Sequence, residues 1–256
     1  MPDHDSKPNG LYAPVWDDYA ENWAAAHGDR YAWPGDEWGN PAWWAHTFDL
    51  LFRAAGVSDW QRAVEIGPGS GKYTISVLEN SSTTIRAYDV SARFLDVCRR
   101  RCDRWIRDER LSLHLLGIER ADQMLVDLRA AGWRGVVDAV YSIDAMVHVD
   151  LQYLVAYVLT AGLVLKPGGK LILTLADATS ELGFAKLLED IRWHYPLQGR
   201  PSAKFEWLSP DLVRSVLQRL GFAIELLVNT GRDLYLIASL SDPTAAAALE
   251  DHLRAG

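Results

Sequence analysis

The stretch AVEIGPGSGKYT at positions 63–74 leaves little freedom to the rest of the chain. A short apolar run at 63–66 stops in a glycine-rich turn, and an amphipathic run at 73–78 follows. That order reads as a buried strand, a tight turn and the start of a helix, the opening unit of a nucleotide-binding α/β sheet. Glycine suits positions 67, 69 and 71 because a ligand can approach backbone that carries no Cβ. The turn also aims unpaired helix-start N–H groups at whatever lies above it.

Spacing narrows the reading. The turn is G-x-G-x-G, whereas a dinucleotide fingerprint wants its third glycine one place later, where Lys72 stands. Glu65 precedes the first glycine by two positions, and Asp89 ends the next apolar run, 84–89. A carboxylate at a strand end roughly 20 residues past the glycine loop suits a ribose diol. In these residues the chain resembles the class I S-adenosylmethionine-dependent methyltransferases. Their first motif is an acid followed by G-x-G-x-G, and their second strand ends in an acid that holds the ribose. The resemblance spans about residues 60–240 and implies S-adenosylmethionine as cofactor. Its implied contacts are Glu65, Gly67, Pro68, Gly69, Gly71, Asp89, Val90 and Ser142, with Glu119 or Asp122 near the adenine.

The resemblance also implies the fold: a Rossmann-like, seven-stranded, mostly parallel sheet of order 3-2-1-4-5-7-6, its last strand antiparallel, under an N-terminal helical cap. The sequence supplies pieces to match. An apolar, almost unbroken run at 136–142 reads as a strand buried on both faces, and Leu-Lys-Pro-Gly-Gly at 165–169 as the turn into a fifth strand at 171–175. Strands at 222–228 and 234–240 flank a hairpin turn, Asn-Thr-Gly-Arg-Asp. Ser91 opens a helix expected to run to about 108, Asp150 caps another, and Ser209-Pro210 begins a third. The expected division is a tail and cap at 1–58, the cofactor domain at 59–241 with an insertion at about 177–208, and a frayed, alanine-rich tail at 242–256.

Aromatic residues crowd the front of the chain. Trp16, Tyr19 and Trp23 recur at helical spacing, and packing within a cap is the preferred reading of that stripe. Trp38 sits in a loop of turn formers, where a ligand wall and simple packing stay equally open. The two cysteines, Cys98 and Cys102, share a helix without a nearby Cys or His and read as core residues rather than a metal site. A net charge of −8 argues against a broad grip on nucleic acid, and no apolar run approaches a membrane span. A reduced, cytoplasmic protein acting on a small molecule is the expectation.

Methyl transfer from a sulfonium asks mainly for proximity and alignment. A hydroxyl acceptor also needs a base, and histidine serves near neutral pH. His148, just beyond the fourth strand, is the candidate, with packing at the following helix start as its alternative. Asp144, His194 and Tyr195 stand behind it. Two other functions remain open on sequence alone: a non-catalytic protein that binds S-adenosylmethionine or its product, and an NAD(P)-dependent oxidoreductase.

Overall fold

The computed structural model describes residues 13–116, 121–191 and 205–255. One sheet organises them. Its order is β3-β2-β1-β4-β5-β8-β7, with the two-residue β6 beside β5. In chain order the strands are β1 Arg62–Ile66, β2 Thr84–Asp89, β3 Leu111–Leu115, β4 Val137–Ser142, β5 Leu165–Asp177, β6 Trp207–Leu208, β7 Phe222–Asn229 and β8 Asp233–Leu240. All pairs are parallel except β5–β8 and β7–β8. Setting β6 aside, this is the expected seven-strand order with an antiparallel close.

Ten helices accompany the strands among the described residues: α1 Ala13–His27, α2 Pro41–Thr47, α3 Lys72–Glu79, α4 Ala92–Arg101, α5 Asp103–Arg107, α6 Ala121–Ala130, α7 Leu151–Val164, α8 Glu181–Ile191, α9 Pro210–Arg219 and α10 Pro243–Ala255. They cover both sheet faces. Strand β4 shows why the chain needs them, since its six residues are all buried and alternate between two cores. Val140 joins the cluster under α6, α7, α9 and α10, while Ala139 and Tyr141 join the one under residues 48–60, α3, α4 and α5.

Capping follows the sequence closely. Ser91 accepts from the Phe94 N–H, Asp150 from Gln152 and Tyr153, and Ser209 from Leu212. Five details differ from expectation. The helix expected to run unbroken to 108 divides at Cys102, whose ψ of 14° is off the helical value. Residues 121–123 begin α6 rather than a loop. The turn at 165–169 is a bulge within one long strand, because Val137 pairs with Leu165 but Ala139 with Lys170. The stretch expected to hold no strand ends in β6, which pairs in parallel with Ala176 and Asp177.

The last difference is the C-terminal segment. It is a packed helix, α10, and not a frayed tail. Ala246 is fully buried, and a Cβ added at Gly162 of α7 would meet its Cβ at 2.8 Å. Glu250 anchors the helix to Arg129 of α6 at 2.5 Å and pairs within the helix with Arg254 at 2.8 Å.

Candidate active site

A cleft with an empty volume of about 1000 Å³ opens at the carboxyl edge of β1, β2 and β4. Open α/β sheets bind ligands at such an edge, where strand order reverses. The reversal here falls between β1 and β4. The floor is the 67–71 turn, whose three glycines all take a positive φ but differ in what a side chain there would meet. A Cβ at Gly67 would lie 2.3 Å from that of Ala145, and one at Gly71 would lie 2.7 Å from Cys102 Sγ and 3.0 Å from Cys98 Sγ. Gly69 alone is open above, with a Phe94 ring carbon at 3.9 Å as its nearest neighbour. Only Gly69 has its missing side chain replaced by free space for a ligand.

Two acids frame this turn. Asp89 accepts from the Gly69 N–H at 3.1 Å and the Ser91 N–H at 2.9 Å, so strand β2, the glycine turn and α4 converge on one carboxylate. Burial pushes its pKa up to about 6 against those two donors. Glu65, at the end of β1, accepts the Thr74 hydroxyl at 2.6 Å. Burial raises it further, to about 7, with Thr74 opposing. A cleft lined by buried carboxylates and a single lysine is electrostatically suited to a ligand carrying positive charge.

The cap closes the cleft from above. Asp17 of α1 accepts from Ser91 Oγ at 2.6 Å and from the Arg93 N–H at 3.0 Å. The 33–39 loop is held to the glycine turn by Arg101, which donates to both Asp36 and Ser70 at 2.9 Å. Lys72 Nζ reaches the carbonyls of Gly35 and Trp38 at 3.4 and 3.5 Å. These ties place Trp16 and Trp38 on the cleft wall, edge to face at 5.9 Å. Trp38 is therefore a wall. Trp16, expected only to pack the cap, is one too.

His148 is buried on a short helical turn, Met146–His148, after β4. Its ring lies between those of Trp16, at 5.0 Å, and Phe205, at 4.9 Å. It faces the same cleft as Asp89 and the glycine turn. So do Glu65, Gly67, Pro68, Gly69 and Val90. Two expected contacts do not face it. Ser142 is fully buried and spends its hydroxyl on the Ile66 carbonyl at 2.7 Å, tying β4 to β1. Gly71 packs against the cysteines instead. Glu119, His194 and Tyr195 lie outside the described residues, and Asp122 is exposed in the first turn of α6.

Several cleft residues carried no sequence signal for the role. Phe94, Met146 and Tyr157 are apolar positions of ordinary helices or turns, indistinguishable by period from core. Asp144 had one sign, its place at a strand end. Its φ of 61° is rare for a residue with a side chain, and its N–H donates to Thr174 Oγ1 at 2.7 Å. No group of acids, histidines and cysteines suited to a metal ion occurs among the described residues. No described helix is long and apolar enough to cross a membrane.

Comparison with known proteins agrees with this geometry. Residues 64–173 match the family model described as a methyltransferase domain. No curated protein matches the chain. Among solved structures, the magnesium protoporphyrin IX methyltransferase of Synechocystis PCC 6803, with bound S-adenosylhomocysteine, superposes with a TM-score of 0.61 at 14% identity, over 89% of this chain and 98% of that one. Geranyl diphosphate C-methyltransferase of Streptomyces coelicolor A3(2), in complex with geranyl diphosphate and S-adenosylhomocysteine, gives 0.61 at 15% over 90% and 99%. A phosphoethanolamine N-methyltransferase of Haemonchus contortus gives 0.58 at 16% over 84% and 45%. At such identities the structural likeness is one of fold, and the family model matches residues 64–173. The sheet order, the cleft at its switch point and the matched stretch agree: residues 64–173 resemble a methyltransferase domain, set on a Rossmann-like sheet.

Proposed function

We propose that the acceptor is a small molecule methylated on a hydroxyl oxygen, with His148 as the base. The observation that carries this reading is the seat of His148, packed against the rings of Trp16 and Phe205 on the cleft that also holds Asp89 and the glycine turn. Packing against two neighbouring rings limits the imidazole's rotation and so the direction its nitrogens can present to a proton donor. S-Adenosylmethionine, when bound, supplies a methyl group on a positively charged sulfur. The residues present fit it: Gly69 leaves open space over the turn, Asp89 offers its remaining acceptor capacity to a diol, and Glu65 adds negative charge. Val90, Pro68 and Trp38 would wall the nucleoside. His148 would take the acceptor's proton as its oxygen is alkylated, and Trp16 and Trp38 would exclude water from the acceptor.

The solved neighbours include enzymes acting on small molecules, which is consistent with this class and leaves the acceptor atom to experiment. The test is calorimetric titration with S-adenosylhomocysteine alongside an acceptor screen. Asp89→Ala should weaken cofactor binding by at least tenfold. His148→Ala should retain that binding and lose turnover by the 10²–10⁴-fold typical of a general base. Unchanged turnover in His148→Ala would return that residue to packing, and unchanged affinity in Asp89→Ala would remove it from the cofactor site.

A further inference from the structure

Three carboxylates line the cleft, and two of them are accounted for by the protein itself. Glu65 has the Thr74 hydroxyl, and Asp89 has two backbone N–H groups. Asp144 is different. Only its backbone N–H makes a hydrogen bond, and among the described residues its carboxylate accepts none and forms no ion pair. Its backbone is nevertheless held in the left-handed region, an arrangement that costs on the order of 1–3 kcal/mol. Strain that holds an unpartnered acid at the wall of a cleft points to a ligand group.

Lys72 faces the same space. Two of its three N–H groups are directed at the carbonyls of Gly35 and Trp38, and the Trp44 ring lies 4.6 Å from Nζ. One donor is left. Its ammonium and the Asp144 carboxylate attract each other, and each shifts the other's titration towards the charged form, yet they make no ion pair. Both line the same cleft, where one bound group could donate to the acid and accept from the lysine.

The chemistry of that group follows from the charges. An anionic acceptor would meet Glu65, Asp89 and Asp144 against one lysine. A cationic one would be set beside Lys72. A neutral hydroxyl satisfies both, donating to Asp144 and accepting from Lys72. We propose that Lys72 and Asp144 form a second anchor for the acceptor, which is a neutral, planar, aromatic molecule carrying two oxygen functions. One hydroxyl bridges the lysine and the acid, and the other meets His148. Trp16 and Trp38 supply faces for the ring. Asp144 and Lys72 thereby select the acceptor. This rests on the hydroxyl-acceptor reading above.

The probes are 2,3-dihydroxynaphthalene, 2-naphthol and 2-naphthyl phosphate, each titrated calorimetrically into the full chain saturated with S-adenosylhomocysteine. The diol should bind at least tenfold more tightly than the naphthol, and the phosphate more weakly than either. Asp144→Asn and Lys72→Met should each bring the diol to within twofold of the naphthol, and Asp144→Asn should leave affinity for S-adenosylhomocysteine within twofold. The proposal is overturned if the wild type shows no diol preference, if either variant keeps it, or if Asp144→Asn loses S-adenosylhomocysteine affinity, which would assign that acid to the cofactor. None of these results touches the His148 turnover test, so the two readings fail separately.

Discussion

Gly71 is a residue whose importance the glycine pattern conveys and whose reason it conceals. Its φ of 87° excludes most side chains, and an added Cβ would press on the sulfur atoms of both cysteines. Gly71→Ala should therefore destabilise the fold by about 1–3 kcal/mol, read as a lowered denaturation midpoint. Replacing Cys102 with alanine in the same chain should recover part of that loss, since it removes the closer sulfur and leaves the backbone strain. The cysteines themselves were legible as core residues. Their place beneath the cofactor turn was not, because a helix period gives a face and not the neighbour across it. Trp16 shows the same limit: its spacing gives one side of α1, and core and cleft both lie on that side.

At the scale of elements, strands were easiest to read. Strands β2, β4 and β8 are apolar runs bounded by turn residues, and burial on both faces leaves no other use for such runs. Helix α10 was misread because alanine contributes little contrast between faces, and its register is set by contacts far away in sequence. Glu250 supplies those contacts, being nearly buried among Arg129, Arg134 and Arg254. Glu250→Ala should cost about 1–3 kcal/mol by leaving Arg129 without its partner. Hydrogen exchange should show faster amide exchange in α10, with the protection of β1 and β4 retained. The bulge at 166–169 and the two-residue β6 escaped sequence reading for a related reason. Both depend on the partner strand's register, which no local pattern encodes.

For the whole molecule, charge placement sets a pH profile. Asp138 accepts the Gln61 and Arg62 N–H groups and pairs with Lys166 at 2.5 Å. Asp138 and Glu250 are held below the ordinary carboxylate range, so they contribute stability above that range and lose it as pH falls through their folded values. Glu65 and Asp89 act in the opposite sense. Burial raises them to about 7 and about 6, so their contribution is fully present below their ordinary values and is lost as pH rises through those raised ones. The ligand-free protein should therefore be most stable near pH 5 and weaken towards pH 8. Thermal melts of Glu65→Gln should flatten the alkaline side by on the order of 3 kcal/mol. An unchanged slope would mean that Glu65 is ionised without penalty.

The tryptophans of the cap have an optical consequence. Trp16 and Trp38 touch each other and line the cleft, whereas the indole of Trp60 is buried among Phe52 and Tyr141, away from it. An aromatic acceptor stacked near the first pair would quench their emission and leave that of Trp60 unaltered. The chain thus carries its own fluorescent indicator of occupancy, and replacing either cleft indole with phenylalanine would dim that indicator without an added dye.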